Sequence, residues 1–172
     1  FRSLARVVFK TLLGGDSSQG GGSTITQQLA KTLYPRADVS SRIPGMSKVK
    51  MVWIKLKEWV TAVKLERSYT KDEIITMYLN QVFFGSNAYG IKSAAQTFFA
   101  KTPAALTVEE AATLVGMVNK PTRYNPAINP DKSLVRRNFV ISQMEKAGYL
   151  DVQQRDSIQQ LPIVLSYQVQ DH

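Results

Sequence analysis

Cysteine is absent from the 172 residues, and histidine occurs once, at the last position, His172. Without cysteine there is no disulfide framework and no thiolate metal site, and a single terminal histidine excludes a zinc site or a Ser-His-Asp engine. The same absence leaves the cytosol and the periplasm undistinguished by composition. No run reaches the roughly 18 consecutive apolar residues that a membrane-spanning helix needs, and no signal-peptide pattern is present. No repeat of 20–50 residues and no sustained strand alternation occurs either. What is present, 44% hydrophobic residues over this length, suits one domain with a real core. The chain opens on Phe1 already within a helical pattern, so both ends read as cuts.

Acidic residues are scarce in the first part of the chain. Of the net charge of +9, residues 1–67 carry 12 Lys+Arg against 4 Asp+Glu, or +8, and residues 68–172 carry 10 against 9, or +1. Such a field attracts polyanions, whether nucleic acid, an anionic membrane surface or a phosphate-bearing substrate. Charge alone does not choose among them.

Apolar periodicity predicts an all-α chain. A basic amphipathic helix over residues 4–12 stops at Gly14-Gly15, and a second runs over about 24–33, with Thr24-x-x-Gln27 as its capping box, and ends before Pro35. Ser47 opens a long helix to about Arg67, with Val49, Val52, Trp53, Leu56, Val60 and Val63 on one side and charge on the other. Thr70-x-x-Glu73 and Thr107-x-x-Glu110 open helices through Leu79 and Val118, the first with Ile74, Ile75, Tyr78 and Leu79 toward the core. After a loop marked by Pro121, Pro126 and Pro130, helices follow over about 131–147, stopped by Gly148, and 151–160, before an extended tail.

Four stretches could carry chemistry. GGGSTITQQLAKTL, residues 20–33, joins a loose backbone to the start of a helix, where free N–H groups and the positive dipole end suit an anion. It is neither a Walker loop nor a dinucleotide fingerprint, and by spacing it reads equally as a linker with an ordinary cap. In and just before IKLKEWVTAVKLE, residues 54–66, Lys50, Lys57 and Lys64 recur near one face, and Glu58 sits one turn from Lys55, which by spacing alone is a solvated face. KDEIITMYLN, residues 71–80, and RRNFVISQM from Arg136 read most simply as structural helices.

Together and in this order the four resemble the family 51 peptidoglycan glycosyltransferases, the domain of class A penicillin-binding proteins and monofunctional transglycosylases. Gly22-Ser23-Thr24-Ile25-Thr26-Gln27-Gln28-Leu29, with Lys31 following, matches the family's second motif almost letter for letter. Lys55 and Glu58 match the third, with Ile54 where a basic residue is usual. Residues 71–80 look like the fourth and residues 136–141 the fifth, with Tyr124-Asn125-Pro126 fitting the loop between.

The resemblance implies a mostly helical, lysozyme-like domain of about eight helices at the outer, periplasmic face of the cytoplasmic membrane. It implies lipid II and the growing glycan chain as substrates, and a β-1,4 glycan with undecaprenyl pyrophosphate as products. Its implied substrate-binding residues are Ser23, Thr24, Gln27, Gln28, Lys31, Lys50, Lys55, Lys57, Asn80 and Arg136. Glu58 corresponds to the family's second functional carboxylate, which orients groups around the pyrophosphate, and is not the base. Mg or Mn commonly assists the family, though no metal-ligand cluster is visible in the sequence.

The family's first motif, Glu-Asp followed by Phe and His, supplies that base and should lie immediately before Phe1. The expectation is therefore a glycosyltransferase domain over residues 1–161 that is truncated at its N-terminus and inactive as it stands, followed by the start of a linker, 162–172, toward a transpeptidase domain. A basic nucleic-acid-binding module explains the charge but not the ordered motifs, so nucleic acid is not expected as a partner. A lysozyme-like lytic enzyme needs a carboxylic acid in an apolar pocket, whereas Glu58 sits among lysines. The third rival is a noncatalytic membrane-docking domain.

Overall fold

The computed structural model describes residues 25–33 and 46–167. Among these the chain is helical, with no strand beyond one isolated bridge between Phe83 and Tyr89. Seven α-helices follow in order: α1 (Ile25–Leu33), α2 (Met46–Ser68), α3 (Lys71–Gln81), α4 (Gly90–Phe99), α5 (Val108–Val118), α6 (Pro130–Lys146) and α7 (Val152–Gln160), with a 3-10 turn (Pro103–Ala105) between α4 and α5. The expected helix over residues 4–12, the Thr24 cap and the glycine loop lie outside the described residues.

The chain divides into two compact units at Tyr78 and Leu79, within α3. In the first unit α1 packs on α2. Thr26, Leu29 and Ala30 of α1 are buried, the i, i+3, i+4 set that one helical face presents. The α3 cap is as the spacing requires: Glu73 Oε2 accepts from the Thr70 N–H at 2.8 Å and from its hydroxyl at 2.9 Å. Ile74 and Tyr78 are buried, but Ile75 is exposed. Ile74 and Tyr78 are four residues apart and share a face, whereas Ile75 points about 100° away from Ile74.

The long helix departs further from expectation. Val49, Trp53 and Val60 are 70%, 60% and 46% exposed, while Glu58 and Ala62, on what had read as the charged side, are buried. With 3.6 residues per turn, Val49, Trp53 and Val60 share an outward stripe with Lys50, Lys57 and Lys64, all exposed, and Glu58 and Ala62 fall on the opposite face. Apolar content is spread around this helix, so period alone did not reveal which face turns inward.

The second unit is built on Phe84, Ala88, Ala94, Ala95, Phe98, Phe99, Leu114 and Met117. Helix α4, which apolar periodicity does not predict, supplies half of that core through Ala94, Ala95, Phe98 and Phe99. Helix α5 opens with the expected capping box at Thr107 and Glu110, α6 with Pro130 at its first position, and α7 with a box at Asp151 and Gln154. Gly148, with φ +80°, ends α6 as its N–H bonds the Glu145 carbonyl. Residues 162–167, expected as the start of a linker, lie along this core. The Ser166 N–H donates to Phe98 O at 3.0 Å, Leu165 packs on the cluster, and the Tyr167 ring sits 5.6 Å from that of Phe98.

Between α3 and α4 the backbone folds tightly. Gly85, Ser86 and Asn87 all have positive φ, and the turn closes through Phe84 N–H to Ala88 O and Ala88 N–H to Gly85 O. Buried Asn125 donates to Ser86 Oγ at 2.9 Å, and the Tyr167 hydroxyl reaches the same oxygen at 2.9 Å. Three left-handed residues in a row, two of them not glycine, are unfavourable alone, and these two side chains hold the turn in place.

Candidate active site

The described second- and third-motif residues lie in the first unit, though not on one face. On α1, Gln27 is half-buried and Gln28 and Lys31 are exposed, spaced one turn apart on the outward side. On α2, Lys50 and Lys57 are exposed, and the Lys57 ammonium lies 5.7 Å over the Trp53 ring, a cation–π contact. Lys55, by contrast, turns inward: its ammonium donates to Glu58 Oε2 at 2.8 Å, with the carboxylate only 8% exposed. A carboxylate withdrawn from water needs a counter-charge, and the i,i+3 spacing on α2 provides it.

Tyr78 joins this set although its spacing had assigned it only to the core. It is 8% exposed, and its hydroxyl donates to Gln28 Oε1 at 2.8 Å. Burial pushes the phenol pKa above its ordinary value, so the hydroxyl stays a donor at neutral pH. No sequence signal could have paired it with Gln28, because the two lie 50 positions apart. Ser23 and Thr24 lie outside the described residues.

Asn80 and Arg136 belong to the second unit. Asn80 is exposed at the end of α3, and its carbonyl lies where a Cβ on Gly90 would stand, 2.6 Å away. Arg136 is half-buried, its guanidinium 4.9 Å from the Phe139 ring and 5.6 Å from that of Tyr124. The neighbouring Arg137 is wholly buried. Its Nε and Nη2 donate to Asn138 Oδ1, and Nη2 also reaches the Gln159 carbonyl at 3.1 Å, tying α6 to α7. Burial lowers its pKa and nearby Glu109 opposes that shift. Among the described residues no group of three or more His, Cys, Asp or Glu side chains could hold a metal ion. None is therefore assigned to Mg or Mn.

Amide and ammonium donors stand on both α1 and α2, but Lys50 and Lys57 lie on the face of α2 opposite the ion-paired Glu58. In comparison with known proteins, the family described as Transglycosylase matches residues 1–145. The chain is a member of the transglycosylase family. Penicillin-binding protein 1A of Pseudomonas aeruginosa is 38% identical over 170 residues, which cover 98% of this chain and 19% of that protein. Penicillin-binding protein 1A/1B of Bacillus subtilis is 44% identical over 144 residues, 83% of this chain and 15% of that protein. The crystal structure of penicillin-binding protein 1A from Haemophilus influenzae matches with a TM-score of 0.55 at 39% identity, over 59% of this chain and 15% of that one. The chain thus spans about a fifth or less of the length of these relatives, which are class A penicillin-binding proteins. Its mostly helical fold is that of their glycosyltransferase region. No helix among the described residues is long and apolar enough to cross a membrane.

Proposed function

We propose that this transglycosylase domain polymerises lipid II into β-1,4 glycan strands and releases undecaprenyl pyrophosphate. The 4-hydroxyl of the acceptor sugar attacks the anomeric carbon of the growing chain. A new C–O bond forms with inversion, the bond to the lipid pyrophosphate breaks, and a base takes the hydroxyl proton. No described residue is assigned as that base. Gln27, Gln28, Lys31 and Lys55 offer donors and positive charge to the pyrophosphate as negative charge develops on it, while Lys50 and Lys57, on the outward face of α2 opposite Glu58, offer positive charge to the lipid-linked substrate at the membrane surface. Ser23, Thr24, Asn80 and Arg136 complete the proposed substrate-binding set.

The observation that carries this reading is the nearly buried Glu58, held by Lys55 at 2.8 Å within the third motif. A carboxylate committed to an ammonium orients its neighbours and is not poised to donate a proton, which favours synthesis over lysozyme-like cleavage. The outward stripe of Val49, Trp53 and Val60 beside Lys50, Lys57 and Lys64 supports work at an anionic membrane surface, the periplasmic face of the inner membrane in this reading.

The test is lipid II polymerisation by a full-length protein carrying this domain. Glu58→Gln should lower the rate by about 100-fold or more, as loss of a group that organises transition-state charge does, and Lys31→Ala should abolish glycan product. Unchanged polymerisation in both variants, or release of fragments from intact peptidoglycan by the unsubstituted protein, would sink the proposal.

A further inference from the structure

Tyr78, expected only in the core, reaches a motif residue of the first unit through a side-chain hydrogen bond. A glutamine amide carries one acceptor oxygen and one NH2 with two donors, so committing the oxygen decides where the donors point. Here the oxygen is committed: the Tyr78 hydroxyl, nearly buried and unable to rotate far, donates to Gln28 Oε1 at 2.8 Å. The Gln28 NH2 is therefore turned away from Tyr78. Gln28 lies on the exposed side of α1, and Lys31, one turn on, is exposed there too. With the oxygen turned inward, these two side chains present only donors to whatever meets that side.

We propose that Tyr78 is a positioning residue, whose hydroxyl fixes the Gln28 amide so that α1 presents a donor-only edge, Gln28 NH2 with Lys31, to the phosphate oxygens of the lipid-linked pyrophosphate. This rests on the function proposed above and deepens it. A freely rotating Gln28 would spend part of its time turning its carbonyl oxygen toward the phosphate, where like partial charges repel. Fixing the amide removes that state before substrate arrives, which is preorganisation rather than added contact.

The experiment measures the Kd for undecaprenyl pyrophosphate in detergent micelles, together with KM and kcat for lipid II, in a full-length protein carrying the domain. Tyr78→Phe should weaken pyrophosphate binding about tenfold, the scale of one oriented hydrogen bond to a charged group. In a Gln28→Ala background the same change should add less than about twofold, because the residue it positions is gone. Gln28→Glu, an exposed and nearly isosteric change, still accepts from Tyr78 but turns an anionic oxygen outward. It should weaken binding by at least about tenfold, and it serves even if Tyr78→Phe impairs folding. Equal losses from Tyr78→Phe in both backgrounds, a silent Tyr78→Phe, or a Gln28→Glu variant that binds like the unsubstituted protein would each overturn the assignment. Failure of the unsubstituted protein to bind undecaprenyl pyrophosphate would overturn the functional reading as well, so the two failures are told apart by the unsubstituted control.

Discussion

Gly90 and Gly148 share a backbone conformation, φ +80° in each, yet the surrounding space makes them unequal. A Cβ on Gly90 would stand 2.6 Å from the Asn80 carbonyl oxygen, whereas one on Gly148 would meet nothing within 4 Å. At Gly148 an alanine faces only the left-handed penalty, about 1–2 kcal/mol. At Gly90 the same penalty is joined by a clash with backbone that cannot swing aside, and the N–H of this residue also bonds Val82 O. Gly90→Ala should therefore destabilise by about 3 kcal/mol or more and Gly148→Ala by about half that or less. Denaturant unfolding of the two variants checks the order, and equal losses would show that the Asn80 contact does not constrain the turn. Gly148 is legible in the sequence as a helix stop; the carbonyl beneath Gly90 is not.

At the scale of elements, the helix starts at Thr70 and Thr107 are found as the spacing requires, whereas α2 begins at Met46, one residue before the expected Ser47 cap. Glu73 and Glu110 sit three residues after Thr70 and Thr107, and both carboxylates accept hydrogen bonds from those threonines. For Glu110, burial pushes the pKa up, but bonds from Lys101 at 2.8 and 2.9 Å and from Thr107 outweigh it, and the net shift is downward. The Thr70 bonds likewise lower Glu73, which is fully exposed. A carboxyl with a lowered folded-state pKa contributes stability that is full above its ordinary value of 4.5 and is lost as pH falls through the folded value. The stability gap between the unsubstituted domain and Glu110→Gln should thus be widest at neutral pH and shrink below about pH 4, as thermal melts across that range would read. A gap that stays constant would mean that the ionised form is not what the cap and Lys101 hold.

These caps were legible because every interaction they use lies within four residues. The inward face of α2 was not. Val49, Trp53 and Val60 have the apolar character of a core stripe, but burial on a helix is decided by what packs against it, and Glu58 and Ala62 are the side chains withdrawn from water. The same holds within α3, where Ile74 is buried and Ile75 is exposed.

At the scale of the molecule, the chain divides into two units, and the chemistry read from the second and third motifs lies in the first. The second unit is closed by its own C-terminal segment. Leu165 packs on the Phe84 and Phe98 core, and Tyr167 shares Ser86 Oγ with Asn125 at the strained turn. Ending the chain at Leu161 would strip the Phe98 carbonyl of its partner, uncover apolar surface and release one of the two bonds to that turn. The expected cost is about 2–3 kcal/mol, a fall in Tm of about 5–10 °C for a chain of this size. An unchanged Tm would show that residues 162–167 lie on the core without stabilising it.

The family, most of the described helices and the caps at Thr70 and Thr107 could be read from residue order, because motifs, apolar period and turn chemistry act over a few positions of chain. The pairing of Tyr78 with Gln28, the withdrawal of Glu58 from water, the burial of Arg137 rather than Arg136 and the docking of the tail could not. Each depends on residues far apart in sequence being brought together, and on competition for a limited interior that no local window contains. The amide and ammonium donors are written in the motifs. Which way those donors face is decided by packing.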